Sequence, residues 1–309
     1  MVSRFLVEIK NQTIMKPILF AAALAVASSL TAQNAETYVN KSEETHLCGP
    51  VTITDLINHG DGWYQQHYDE FETQQESHSW KKQLKNTQVD IYLGSWCGDS
   101  KNWVPQFVHL WDELGLDRDQ LNIVALYDGE EKYKQGPNHE EKGLGIHRVP
   151  TFIFKEDGQE IGRIVEFPVT DLETDLAQMA LGYPVTPNYR AATYIQESLN
   201  MMSVDEFYKD ANAHFYHIYK RVSKSAELNT LGYVYLRSGR IDEALLAFNF
   251  NTYLFKDNPN VFDSYGEALA ISGDTSNAIT NYKKVLELDP DNENALKQLA
   301  LLKAETENQ

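Results

Sequence analysis

The chain of 309 residues is expected to pair an α/β unit, a mixed sheet flanked by helices, with an all-α repeat unit, and three observations predict this. From Val89 to Gly182, short apolar runs of strand length alternate with segments of helical spacing. Beyond that stretch the chain reads as helical, and Gly232, Gly239, Ala244 and Phe248 recur as Gly266, Gly273, Ala278 and Tyr282, each shifted by 34 positions. Between the two regimes stand Pro184 and Pro187, neither of which can donate a backbone hydrogen bond. Alternating strands and helices imply a layered sheet, and a fixed period implies a stack of helix pairs.

In chain order, Val89–Leu93 is the first clear strand. Trp103, Phe107, Trp111 and Leu114 follow at helical spacing and would bury one face against a sheet. Leu121–Tyr127 is a second strand. The segment Gly129–Gly143, rich in Glu, Lys and Gly, has no apolar period and is expected to be an exposed loop. Thr151–Phe154 and Ile161–Phe167 form a strand pair around Lys155-Glu-Asp-Gly158, adding an antiparallel edge. Asp171–Leu181 reads as the closing helix and Tyr183–Pro187 as a linker. Ser203 with Glu206 is a capping box that opens a helical segment to about Val222. In the second repeat Pro290 closes the pair, and Leu299-Ala300 opens a capping helix. Pro259 comes three residues later than the period requires, which predicts a longer second helix in the first copy. The divisions are 1–33, 34–182, 183–225 and 226–309.

Cys97 stands where the first strand ends and a helix begins. The first N–H groups of a helix lack internal partners and carry the positive end of its dipole, so a thiolate is favoured there. Trp96-Cys97-Gly98-Asp99-Ser100, with Pro105 eight residues after the cysteine, resembles the active-site segment of the thioredoxin superfamily. Ile146-His-Arg-Val149-Pro150-Thr151 resembles that family's cis-proline loop, and the likeness covers roughly Leu47–Leu181. The 34-residue period is similar to that of tetratricopeptide repeats, in which small residues let helices pack closely and an aromatic fills the gap. About three repeats are usually needed for stability, so the helices of residues 189–222 are expected to supply a divergent first unit.

The thioredoxin resemblance implies a nucleophilic Cys97, with Trp96, Val149 and Pro150 contacting a bound substrate chain. The position of a second thiol is occupied by Ser100, whose hydroxyl cannot form a disulfide. The family's buried acid six residues before the cysteine is here Ile91, while Asp90 should face the opposite side of the strand. Asp99 opposes a thiolate and Lys101 favours one. Cys48, the other cysteine, has two readings: a resolving thiol for Cys97, or a small buried residue. His147 is read as a neighbour of the site and not as its base. His214 and His217, at i and i+3, are read as packing residues, and His46 with Cys48 as conceivable ligands of a soft metal. No cofactor and no metal are expected.

Two functions follow. One is an exported thiol-disulfide oxidoreductase of monothiol type, reductase- or isomerase-like, acting on protein thiols and disulfides while the repeats recruit a partner polypeptide. The other is a non-catalytic protein-binding module. A net charge of −18 argues against nucleic acid and anionic membranes as partners. Met15-Lys16, the apolar stretch Ile18–Val26 and the small residues after it resemble a secretory signal starting at Met15. The stretch is short for a membrane span, and no cysteine stands at the junction for a lipid anchor. A periplasmic or secreted location is expected, where disulfides persist.

Overall fold

The computed structural model describes residues 35–60, 62–74, 78–129 and 131–307, and the signal-like stretch lies outside them. Six strands form one sheet: β1 (Glu36–Val39), β2 (Thr45–Val51), β3 (Gln88–Leu93), β4 (Leu121–Ala125), β5 (Thr151–Glu156) and β6 (Gln159–Val165). Their order is β1-β2-β4-β3-β5-β6. β3 and β4 are parallel and the other neighbours antiparallel, so the sheet is mixed. β5 and β6 meet at Asp157-Gly158, both with positive φ, the backbone a two-residue hairpin turn needs to follow the strand twist.

Residue alternation sorts the sheet's two faces. Val89, Ile91 and Leu93 of β3 enter the main core with Phe152, Phe154 and Ile164. That face is covered by α1 (Ile53–Asn58), α2 (Trp63–Asp69), α3 (Gly98–Glu113) and α4 (Leu172–Ala180), which contribute Leu56, Tyr64, Phe107, Trp111 and Leu176. On the other face Tyr92 and Ile153 meet Leu126, Ile146 and Val149. The segment after β4, expected to be exposed, is instead seated on the sheet unit. Lys134 N–H donates to the Tyr127 carbonyl at 2.8 Å and Tyr127 N–H to the Gln135 carbonyl at 3.0 Å, satisfying backbone groups that burial would otherwise leave unpaired.

The remainder is helical: α5 (Arg190–Met201), α6 (Val204–Lys209), α7 (Ala211–Tyr219), α8 (Ser225–Arg237), α9 (Ile241–Leu254), α10 (Pro259–Ser272), α11 (Thr275–Leu288) and α12 (Glu293–Glu307). Ser203 and Glu206 form the capping box, but the chain breaks at the non-helical Asp210 and gives two short helices in place of one. Buried Glu227 of α8 accepts the N–H groups of Ala191 and Ala192 at 2.7 and 3.1 Å, capping α5 from another helix. α9 and α11 have the same length, contrary to the longer helix expected. Pro259 is the first residue of α10, behind its cap Asn258, a position where the missing N–H costs nothing.

Gly232 and Gly266 set how closely each pair packs. A Cβ on Gly232 would lie 2.6 Å from ring atoms of the fully buried Phe248, whereas on Gly266 it would meet Tyr282 at 3.2 Å. Overpacking costs about 1–3 kcal/mol, while alanine in place of a helical glycine recovers about 0.5–1 kcal/mol. Gly232→Ala is therefore expected to lower the unfolding free energy by roughly 1–2 kcal/mol, and Gly266→Ala to change it by less, as read from urea denaturation of the two variants.

Candidate functional site

Cys97 is the N-cap of α3, in extended conformation (φ −89°, ψ 125°), and its side chain is half-buried. Its thiol donates to the Val149 carbonyl at 3.3 Å, and the Val149-Pro150 peptide is cis. The strand-to-helix turn and the proline loop thus meet at the sulfur. The Trp96 indole N–H donates to the Leu126 carbonyl at 2.8 Å, which fixes the ring beside the thiol. Ser100 is buried, and its Oγ accepts the Gly94 N–H at 3.1 Å, so it braces the turn from behind. Asp99 is exposed. Ile91 is fully buried in the core, while Asp90, on the opposite face, pairs with Lys155 and accepts from Asn122 at 2.9 Å.

Both cysteines are free thiols. Cys48, on β2, is only 2% exposed. Burial pushes its thiol up, against a hydrogen bond with Tyr127. His46 contacts Asn40 at 3.1 Å. His214 stacks on Phe207 and contacts the Tyr194 hydroxyl at 2.7 Å, and His217 lies against the Tyr194 ring. Among the described residues no group of three or more His, Cys, Asp or Glu converges as a metal site would require.

The structure adds a cluster of charges beneath the proline loop that the sequence did not suggest. Lys134 is 4% exposed and its ammonium donates to the His147 carbonyl at 2.8 Å. Burial, aided by the positive charge of Arg148, pushes its pKa down to about 7; Cys97 and Glu166 act in the opposite sense. His147 is buried with its ring edge-on to Tyr189, and burial pushes it down to about 3, so it stays neutral at physiological pH. Arg148 pairs with Glu166 at 3.3 Å. Burial pushes Glu166 up, against that pairing. Glu166 has φ 67°, uncommon for a side-chain-bearing residue, and its N–H donates to the Pro150 carbonyl at 2.7 Å.

The same loops rest on α8. Arg148 donates to the Ala226 carbonyl at 2.7 Å, near the start of α8, and Gln135 to the Arg237 carbonyl at 2.8 Å, at its end. Between these anchors Asn229, Thr230 and Tyr233 line a cavity of about 750 Å³, with Glu267 of α10, Asn294 and Gln298 of α12, and Asp128 and Tyr133 from the segment after β4. Glu267 accepts from Tyr233 at 2.8 Å and from Arg237 at 2.6 Å. Asn229 Oδ1 is buried without a partner among the described residues.

Comparison with known proteins bears on the helical part. The family model of the TPR repeat matches residues 266–306, which spans the second half of α10, all of α11 and most of α12. The chain carries a tetratricopeptide-repeat region. Among solved structures it is similar to the second TPR domain of the human RPAP3 protein, determined by NMR in complex with an HSP70 peptide, at 20% identity and a TM-score of 0.26, covering 32% of this chain and 88% of that one. No curated protein matches the chain.

The junction between the sheet and the helical region holds the buried Lys134, whose behaviour can be measured. The unfolded chain keeps the lysine protonated up to its ordinary 10.5, whereas the folded chain releases that proton near 7. Between those values the unfolded state binds more protons, so this group makes stability rise with pH, and its burial costs most at pH 7 and below. Lys134→Met is expected to be more stable than wild type at pH 7 by on the order of 2 kcal/mol, with the advantage shrinking towards pH 10. Urea denaturation of both proteins across that range, with reductant present, measures the difference.

Proposed function

We propose that this chain is a polypeptide-binding protein that holds an extended partner segment on the repeat face lined by α8, α10 and α12. The lining carries the reading. Asn229, Tyr233, Glu267, Asn294 and Gln298 offer polar groups from three alternate helices, α8, α10 and α12, along one cavity, and repeat stacks use such extended surfaces to bind. Asn229, whose enclosed Oδ1 lacks a partner among the described residues, brings an unsatisfied amide to this lining. In a screen of immobilised peptides, those retained by wild type are expected to lose at least about tenfold in affinity with Asn229→Ala or Glu267→Ala, about the effect of one or two hydrogen bonds to a charged or buried group. Retention unaffected by both substitutions would remove the reading.

A second reading, thiol-disulfide exchange at Cys97 in a thioredoxin-like domain, is favoured by one observation: the half-buried sulfur 3.3 Å from the Val149 carbonyl of the proline loop. In such a step Cys97 gives its thiol proton to water and, as the thiolate, attacks one sulfur of a substrate disulfide. A Cys97–substrate bond forms as the substrate's own bond breaks, and the departing thiolate takes a proton from water. Ser100 cannot supply a second thiol, and Cys48 would have to leave its burial to do so; release then falls to a substrate thiol or an external one. The signal-like segment at residues 15–33 supports placing this chemistry outside the cytoplasm. Iodoacetamide at neutral pH is expected to label Cys97 well ahead of Cys48 in the native protein, by peptide mapping. Equal labelling would count against a thiol set apart for reaction.

A further inference from the structure

We infer that the repeat groove and the Cys97 thiol form a single polypeptide track, joined across Tyr133, along which the repeats deliver a basic, cysteine-bearing segment to the sulfur. The inference rests on the thiol-exchange reading above and adds to it the substrate's chemistry and its path. Three observations carry it.

The first is the position of Tyr133. It lines the groove with Asn229, Tyr233 and Glu267. Its ring also lies 6.4 Å from that of Trp96, the residue before the thiol. A separation of this size is crossed by about two residues of extended chain, so a segment lying in the groove can place a cysteine at Cys97 without leaving contact with an aromatic ring. The second is the shared support. α8 lines the groove and also carries both loops of the thiol site, through Ala226 at one end and Arg237 at the other. The two surfaces therefore share one supporting helix.

The third is charge. The groove's charged lining is Asp128, Glu267 and Arg237. Arg237 is already held by Glu267 at 2.6 Å, and Asp263 stands behind Asn294, accepting from it at 2.8 Å. Asp128 accepts from Tyr38 and Asn40 at 2.8 and 3.1 Å, and the groove's lining, with two carboxylates against one guanidinium, is net negative. It suits the cations of lysine or arginine. The net charge of −18 favours approach of the same cations. Two of the positive groups near the sulfur are engaged: Lys134 is buried on the His147 carbonyl and Arg148 is paired with Glu166.

The test compares two disulfide probes on the reduced full-length chain. One is 5,5′-dithiobis(2-nitrobenzoate), too small to span the track. The other is a set of twelve-residue peptides whose single cysteine is held as a mixed disulfide with thionitrobenzoate, followed by either lysines or glutamates. Attack by Cys97 forms the protein–peptide disulfide and releases thionitrobenzoate, whose colour gives the rate. The lysine peptide is expected to react about tenfold faster than the glutamate peptide at low salt, within the range of electrostatic steering, and the advantage should fall as salt screens it. In Glu267→Gln and in Tyr133→Ala the ratio of lysine-peptide rate to small-probe rate should drop several-fold, while Tyr253→Ala, whose exposed ring is outside this groove, leaves it unchanged. A ratio insensitive to peptide charge and to both groove substitutions overturns the track and leaves thiol exchange standing. Absence of reaction at Cys97 with either probe overturns both.

Discussion

Arg148 ties three parts of the chain together at one guanidinium. One nitrogen pairs with Glu166 at the end of β6, another donates to the Ala226 carbonyl of α8, and the planar group lies 4.4 Å from the centre of the Tyr189 ring. A planar cation with several donors in fixed directions can satisfy such a set; a lysine in its place would meet one acceptor and lose the stacking. Since Arg148 immediately precedes Val149 and Pro150, the loop facing the sulfur is held from the repeat side as well as from the sheet. The geometry of the thiol therefore depends on the helical region being in place.

Burial of charge under that loop is the second condition. A lysine ammonium taken out of water needs compensation, and Lys134 has a single carbonyl bond, with Glu166 near enough to help and Arg148 near enough to hinder. The balance leaves a proton that can be lost close to neutral pH. Glu166 shows the complementary effect, raised by burial and pulled back by Arg148. Opposed charges in a confined space make the electrostatics beneath the sulfur sensitive to anything that moves α8.

Much of the framework was legible because burial imposes periodicity. Val89, Ile91 and Leu93 alternate into one core; Gly232 and Gly266 lie against Phe248 and Tyr282 at the expected shift; and the meeting of Cys97 with the Val149-Pro150 loop is what the resemblance of those two motifs to the thioredoxin superfamily implies. What escaped lacks a local signature. β1 is mostly exposed and β2 contains Gly49-Pro50, so neither alternates as a half-buried strand would. Lys134 reads as a surface residue in a polar loop, because its partner, the His147 carbonyl, is 13 positions away. Arg148 stood inside a recognised motif, yet its contact with Ala226 spans 78 positions, and no spacing rule announces a pair so distant. Pro259 was assigned to the end of α9 when it begins α10: a proline marks a boundary without saying which side it serves.

The monothiol arrangement and the attached repeats bear on one another. Ser100 is turned to the Gly94 backbone and Cys48 is buried against Tyr127, so neither offers an accessible thiol to cut short a bond formed at Cys97 with a partner. Under the exchange reading, the lifetime of such a complex is set by outside thiols and by whatever else holds the partner in place. Under the binding reading, the same surfaces hold it without chemistry. Either way the residence of a polypeptide depends on non-covalent contacts along α8, where a segment fixed at one end raises the effective concentration of its neighbouring residues at the other. In the proposed track, a groove that reaches Tyr133, one aromatic ring from Trp96, would put that concentration at the sulfur.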